Sequence, residues 1–297
     1  MSLSGARVQK ARQESAYGDR EFAFTDQDYR RIAGLMYADA GIDLKESKAE
    51  LVYSRLAKRV RGLKLNSFSE YCDLVEAPDS GGERLEMLSA LTTNVTRFFR
   101  ERPHFDHLEG QVLPPLIALA RKGAKVRIWS AGCSTGQEPY SIALSLLSLE
   151  PQAPVLDLKV LATDIDPRVI ATGREGLYPD SALEDIPANL RARYFAPGAA
   201  TPGSFRIADE PRKVVSFRTL NLNGDWPMQG LFHVIFCRNV VIYFDERGQR
   251  NLWSRFASKL APGGWLYVGH SERVAGPASA CLRSAGLTTY QLTARQT

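Results

Sequence analysis

Lys125-Val-Arg-Ile-Trp-Ser-Ala-Gly-Cys-Ser-Thr-Gly-Gln-Glu-Pro-Tyr-Ser-Ile-Ala-Leu144 is the stretch that decides how the chain is read. Val126 to Ser130 has the apolar residues and the Trp of a short buried strand. Gly132 and Gly136 bracket a tight loop. From Gln137 the pattern is helical, with Pro139 in the first turn, where a missing N–H is harmless. Tyr140, Ile142, Ala143, Leu144 and Leu147 supply the helix's apolar positions. Strand, glycine loop and helix in this order are how a doubly wound α/β sheet offers backbone N–H groups to a ligand at the carboxyl end of its first strand.

The same loop limits the ligand. A phosphate-binding Walker loop needs a Lys after its last glycine, and none follows Gly136. The dinucleotide pattern Gly-x-Gly-x-x-Gly fails at Ser134. Glu138 falls in the first helical turn, where a carboxylate suits the helix dipole but repels a pyrophosphate. Two readings stay open from this loop. In one, it holds a cationic nucleoside such as S-adenosylmethionine. In the other, Glu138 is a favourable first-turn residue in an ordinary crossover.

Working outward, the 297 residues suffice for two domains and a sizeable core. Hydrophobic residues make up 44% and charged residues 24%, as in a globular protein in water. No apolar run approaches the roughly 18 residues of a membrane span, and the polar start of the chain has no signal-peptide pattern. Cys72, Cys133, Cys237 and Cys281 are scattered, without a Cys-x-x-Cys pair. That argues against a zinc site or disulfide scaffold and places the protein in a reducing cytoplasm. The net charge of +5 permits an acidic partner without requiring nucleic acid.

Residues 1–20 read as a mobile polar tail. A helical domain is expected over 21–91, beginning at a cap on Thr25 or Asp26. Its second helix, about 47–62, has Leu51, Val52, Leu56 and Val60 on one side and Lys48, Arg55, Lys58, Arg59 and Arg61 among its basic residues. Such a run is either a solvated face or a docking surface for an acidic helix. Ser67-Phe-Ser-Glu70 has the form of a capping box opening a third helix. A fourth helix is expected from Glu83 to Leu91.

The α/β domain is expected over 92–297. Its first segment, Thr92 to Glu101, is polar with two adjacent phenylalanines, and Asn94 or Thr96 is placed to cap a short helix. His104 and His107 have no third ligand nearby, so no metal site is read. Leu158 to Thr163 is a second strand, and Asp164 at its tip is where a ribose diol would be bound. Asp166 is placed to cap the helix that starts near Pro167. Residues 176–220 break the rhythm with five prolines. They read as a small antiparallel insertion with strands at Ser204–Ala208 and Lys213–Leu220, or as a decorated crossover. Phe232 to Cys237 is a strongly apolar strand that carries Arg238 and Asn239 at its carboxyl end. A helix (Gln249 to Leu260) and two strands, Trp265 to Gly269 and Gly286 to Leu292, complete the chain.

Four stretches taken together identify a family: Asn94-Val-Thr-Arg-Phe-Phe-Arg100, Ser130-Ala-Gly-Cys-Ser-Thr-Gly-Gln-Glu-Pro-Tyr140, Ala162-Thr-Asp-Ile-Asp166 and Phe236-Cys-Arg-Asn-Val-Val-Ile-Tyr-Phe244. With Gly269-His-Ser-Glu272 they closely resemble the CheR family of chemotaxis receptor methyltransferases, from about residue 22 to 292. The resemblance implies an all-α N-terminal domain joined to a class I methyltransferase domain, a Rossmann-like doubly wound sheet with a small antiparallel β subdomain inserted. It implies transfer of a methyl group from S-adenosylmethionine to receptor glutamates, leaving S-adenosylhomocysteine. By position, Asn94, Thr96, Arg100, Gly132, Glu138, Asp164, Asn221, Leu222, Arg238 and Asn239 would bind the cofactor. Arg100 and Tyr243 would take part in catalysis or substrate placement. Lys48, Arg55, Lys58, Arg59 and Arg61 would dock the acidic helical cytoplasmic domain of membrane chemoreceptors. A receptor C-terminal peptide at the β subdomain is a further implied contact. The protein would act as a cytoplasmic monomer without entering the membrane.

A carboxylate substrate fits the chain's chemistry. A glutamate is ionised at neutral pH, with a pKa of about 4.3, so no general base is needed and the lack of a His–Asp pair does not count against an enzyme. Two other readings remain at this point: a non-catalytic module of the same fold that senses S-adenosylmethionine or a nucleotide, and a nucleic-acid methyltransferase, which would show steep salt dependence.

Overall fold

The computed structural model of the chain describes residues 20–80, 82–198 and 201–293. The tail expected over residues 1–20 lies outside the described residues except for Arg20. That residue pairs with Glu50, and its guanidinium carbon lies 4.4 Å from the Tyr53 ring centroid. The chain divides into two compact units, one ending at Thr93 and the other starting at Asn94. No helix among the described residues is long and apolar enough to cross a membrane.

Among the described residues the first unit has four α-helices: α1 (Asp26–Ala40), α2 (Ala49–Gly62), α3 (Phe68–Glu76) and α4 (Glu83–Leu91). Thr25 and Asp28 cap α1 reciprocally, each side chain taking the other's backbone N–H. Gly41 ends it with φ of 71°, the left-handed position that glycine adopts without a steric penalty. At α3 only half of the expected box forms. Ser67 accepts from the Glu70 N–H, but the Glu70 carboxylate reaches one residue further back, to the Asn66 N–H. Ile32, Met36, Val52, Leu56, Val60, Tyr71 and Val75 are buried among these helices. Their helical spacing is the signal from which the helices were read.

The second unit opens with α5 (Arg102–His107) and α6 (Leu113–Arg121), joined by one π-helical turn. Then come β1 (Val126–Ala131), α7 (Gln137–Leu149), β2 (Leu158–Asp164) and α8 (Pro167–Glu175). After β3 (Leu177–Pro179), α9 (Ala188–Tyr194), β4 (Phe195–Pro197), β5 (Ser204–Ile207) and α10 (Asp209–Val214), the chain rejoins the main rhythm. It finishes as β6 (Val215–Thr219), β7 (Phe232–Cys237), α11 (Glu246–Lys259), β8 (Leu260–Val268), β9 (Leu282–Gly286) and β10 (Thr289–Leu292).

The main sheet has the order β6-β2-β1-β7-β8-β10-β9. The first five strands of that order run parallel, and β10 runs antiparallel to both of its neighbours, β8 and β9. Both faces are buried, and side chains alternate between them as strand geometry requires. Ile128 and Val234 belong to one core with Leu144, Val160 and Phe217. Their neighbours Trp129 and Ile235 belong to a second core with Trp253, Phe256 and Leu266. The strand order reverses at β1, which has β2 on one side and β7 on the other. A doubly wound sheet opens its ligand crevice at that switch point.

The reading of 176–220 needs correction. The antiparallel sheet exists, in the order β3-β5-β4, but it ends with β5 at Ile207. Lys213–Leu220 is not its second strand. Residues up to Val214 close α10, and β6 lies parallel to β2, pairing Val160 with Val215 through Asp164 with Thr219. The buried Val215 and Phe217 alternate with exposed Ser216 and Arg218, so the expected strand exists over Val215–Thr219 but as a half-buried edge of the main sheet. The short strands β3 and β4 were not anticipated, because three residues carry no period and each ends in proline.

Candidate active site

The candidate site is the switch point where β1, β2 and β7 end. After β1 the chain turns through Gly132 (φ 81°), Ser134 (φ 50°) and Gly136 (φ 96°) into α7. Gly132 is there because of a close approach. A Cβ on it would lie 2.3 Å from Val240 Cγ2, so this loop and the one after β7 pack with no room for a side chain. The backbone N–H of Ser134 donates to Asp164 Oδ2 at 2.8 Å, and that of Asp166 donates to Asp164 Oδ1 at 3.1 Å. Asp166 also caps α8 through the Arg168 N–H. The segment before α5 is tied in as well. The Ser134 hydroxyl donates to the Asn94 carbonyl at 2.7 Å, and the Asn94 amide donates to Asp166 at 3.3 Å.

A second cluster forms around Arg238 at the end of β7. Its side chain is 2% exposed, and its guanidinium lies 3.3 Å from both Glu138 Oε2 and Glu101 Oε2. It also donates to the Arg100 carbonyl. Glu138 receives the Ser130 hydroxyl at 2.7 Å on its other oxygen. Burial pushes the Glu138 carboxyl above the usual range, against the pull of Arg238 and of the Ser130 hydrogen bond. Burial raises Asp164 too, opposed by the N–H groups of Asp166 and Ser134. Burial acts on Glu101 in the same sense, but Arg238 and hydrogen bonds from His270 outweigh it and hold this carboxyl below its usual value.

Of the residues singled out in the sequence, Asn94, Arg100, Gly132, Glu138, Asp164, Arg238 and Asn239 come together in these loops. Arg100 contributes its carbonyl to Arg238, while its guanidinium donates to the Val95 carbonyl at 3.2 Å. Asn239 has a left-handed backbone (φ 59°). Asn221 and buried Leu222 follow β6, held to the tip of β2 by the Leu220 N–H on the Asp164 carbonyl at 2.9 Å. Thr96 is half-buried in the Asn94–Arg100 segment. The segment caps no short helix. Phe99 and Glu101 take left-handed φ of 50° and 58° there instead, a strained path that the Arg238 and Phe99–Ser141 hydrogen bonds hold in place. Tyr243 is half-buried against the core that contains Trp253, and among the described residues its hydroxyl has no hydrogen-bond partner. Glu101 and Ser134 were not foreseen. A glutamate between two arginines reads as surface charge, and the loop serine reads as filler.

His104 and His107 do not converge on a metal position. His104 Nε2 meets the Leu287 carbonyl and the Thr288 hydroxyl, and His107 Nδ1 meets the Tyr267 hydroxyl. In the first unit the basic helix is divided in its use. Arg55 donates to the Leu91 and Thr92 carbonyls at the end of α4, at 2.8 and 2.9 Å. Arg59 pairs with Glu83, and Arg61 with Glu21. Lys48 and Lys58 are exposed.

The donor set of the crevice suits a cationic nucleoside and opposes a phosphate. Three carboxylates (Glu101, Glu138, Asp164) outnumber the guanidiniums of Arg100 and Arg238. Asp164 takes backbone N–H groups, among them those of Ser134 and Asp166 on opposite oxygens, and a carboxylate's two oxygens keep acceptor capacity for a diol. Such a donor set at the switch point of a largely parallel sheet fits the cofactor site of the S-adenosylmethionine-dependent methyltransferase class.

The comparison with known proteins gives the particular family. Residues 27–92 match the CheR methyltransferase all-alpha domain, and residues 94–290 match the CheR methyltransferase SAM binding domain. The chain belongs to the CheR methyltransferase family. It is 52% identical over 262 residues to a probable chemotaxis protein methyltransferase of Rhizobium etli, covering 88% of this chain and 98% of that one. It is 43% identical to chemotaxis protein methyltransferase 2 of Pseudomonas aeruginosa, covering 92% and 96%. With the Escherichia coli chemotaxis protein methyltransferase the identity is 41%, covering 84% and 85%.

Proposed function

We propose that this protein esterifies glutamate side chains of chemoreceptors with a methyl group from S-adenosylmethionine, in chemotaxis-type adaptation. The observation that carries this reading is the match of both units to the two domains of one family, in relatives named as chemotaxis protein methyltransferases. Bound in the crevice, S-adenosylmethionine supplies a methyl group on a sulfonium, which departs as a neutral thioether. Asp164 would hold the ribose hydroxyls and Glu138 a cationic group. Asn94, Thr96, Gly132, Asn221, Leu222, Arg238 and Asn239 would complete the walls.

The chain has no proton to remove, because the attacking carboxylate is already ionised. Its task is to bring that oxygen into line with the methyl group and to exclude water. Arg100 would orient the carboxylate. A tight pairing would lower its nucleophilicity, so the role is placement and not full neutralisation. Tyr243, with its unpartnered hydroxyl, would fix the same geometry.

Receptor docking falls to the basic face of α2. Arg55 and Arg59 hold α4 and Arg61 pairs with Glu21, so within this set Lys48 and Lys58 are the exposed cations that would meet an acidic receptor helix first. A receptor C-terminal peptide would add to an edge strand, β3 or β4, of the small sheet. The protein would work as a monomer on the cytoplasmic side of the membrane. Incubation with labelled S-adenosylmethionine and chemoreceptor-bearing membranes should place label in the receptors. Label confined to nucleic acid, or cofactor binding with no transfer, would overturn the proposal.

A further inference from the structure

Glu272 lies four residues past the end of β8 and is 4% exposed, yet among the described residues its carboxylate pairs with no cation. It is surrounded by backbone N–H groups. Oε1 accepts from Val240 at 3.0 Å, Val241 at 2.8 Å and Ile242 at 3.3 Å. Oε2 accepts from Asn239 at 3.0 Å and Gly269 at 2.6 Å. Four of the five donors are consecutive amides, which lead into the 3-10 turn Val241–Tyr243. Consecutive N–H groups converging like this make an anion-binding nest, and here the anion is a side chain of the same chain.

The nest lies between functional residues. Arg238 and Asn239 are at its start and Tyr243 follows its end. Val240, within it, packs against the position where Gly132 lacks a Cβ. Asn239 has a left-handed backbone, and its own N–H and that of Val240, on either side of its Cα, both donate to Glu272. Gly269 is shaped by the same contact. A Cβ there would lie 2.8 Å from Glu272 Oε2, the Asn239 nitrogen and the Asn239 side-chain amide. The carboxylate therefore joins the end of β8 to the end of β7, and the loop from Asn239 to Ile242 takes its shape from that one side chain.

We infer that Glu272 is a positioning residue for methyl transfer. It holds the loop 239–242 so that Asn239 lines the crevice and Tyr243 reaches the substrate, and it touches neither cofactor nor substrate itself. A glutamine cannot replace it. One of its two ends is an NH2 group, which would meet two or three N–H donors with no acceptor among them.

The test is amide hydrogen exchange on the full chain, comparing wild type with Glu272→Gln and Gly269→Ala. The first variant removes the anion's second acceptor, and the second pushes the carboxylate aside without removing its charge. Both should exchange faster at residues 239–243, at least about tenfold, with β7 residues 232–237 protected as in wild type. The affinity for S-adenosylhomocysteine, read by calorimetry, should fall in parallel. The activity arm rests on the proposed function: turnover on receptor membranes should drop at least about tenfold at temperatures where both variants are folded. Faster exchange spread over the whole α/β unit, or unchanged exchange at 239–243, would overturn the inference. If Glu272→Gln does not fold, the Gly269→Ala pattern decides alone. If wild type methylates no receptor, the function reading fails while the exchange result still judges Glu272.

Discussion

Glu138 has two demands on one carboxylate. It is largely buried in the first turn of α7, pairs with Arg238 and accepts from Ser130, and burial raises its pKa. An ionised carboxylate kept there against desolvation is placed to meet a cation. Glu138→Gln should weaken S-adenosylmethionine binding about tenfold or more, since a hydrogen bond to a charged group contributes about 1.5–3 kcal/mol. Calorimetry that shows unchanged affinity would refute the charge argument for this residue while leaving the family intact. At this scale the site was legible where residue type and position both mattered. Glu138 stood out by opposing a phosphate, and Asp164 by ending β2. Glu101 was hidden because its role comes from a left-handed backbone and a partner distant in sequence, Arg238. Arg55 and Arg59 show the converse. Their basic pattern on α2 is visible, but their engagement with α4 depends on how the helices pack.

The elements that place the site are the loops after β1 and β7. Their mutual contact at Gly132 and Val240 leaves no room for a methyl group, and Gly132 also has φ of 81°. Gly132→Ala should destabilise the fold by about 1–3 kcal/mol and lower cofactor affinity, read by thermal melting and calorimetry. Wild-type values for both would mean that the loops do not pack as described. The parallel strands were readable because strands buried on both faces are near-continuous apolar runs, and β1, β2 and β7 are such runs, broken near their starts by Arg127, Lys159 and His233. The edges were less readable. In β9 only Leu282 is buried. β6 is legible as a strand, but only its parallel register with β2 shows that it belongs to the main sheet. Hydrophobic pattern marks what is buried, and it carries little information where a strand has one face or one residue to bury.

For the molecule as a whole, acid should weaken the α/β unit. His104 is 3% exposed, and its Nε2 must carry the proton, because the Leu287 carbonyl it meets can only accept. Burial and the nearby Arg238 charge lower its pKa to about 4 from 6.5. Between those values the unfolded chain binds the extra proton. Stability present above pH 6.5 is therefore lost as pH falls toward 4, by about 3 kcal/mol from this residue. His107 and His233, also lowered by burial, act in the same direction, while Glu138 and Asp164, raised by burial, act against it. Thermal melts of His104→Asn should show a shallower slope than wild type between pH 6.5 and 4. Equal slopes would place the titrating group elsewhere. The two-domain plan was visible in the sequence as a change from helical spacing to βαβ rhythm near residue 92, and the glycine loop pointed to the crevice. Which macromolecule brings its carboxylate there is written in no single residue. The central claim is tested most directly by the bond that is made. Receptors labelled with methyl from S-adenosylmethionine by this protein should release the label as methanol in mild base, as glutamate methyl esters do. Label that survives base, as on nitrogen, or an absence of receptor label, would contradict the account.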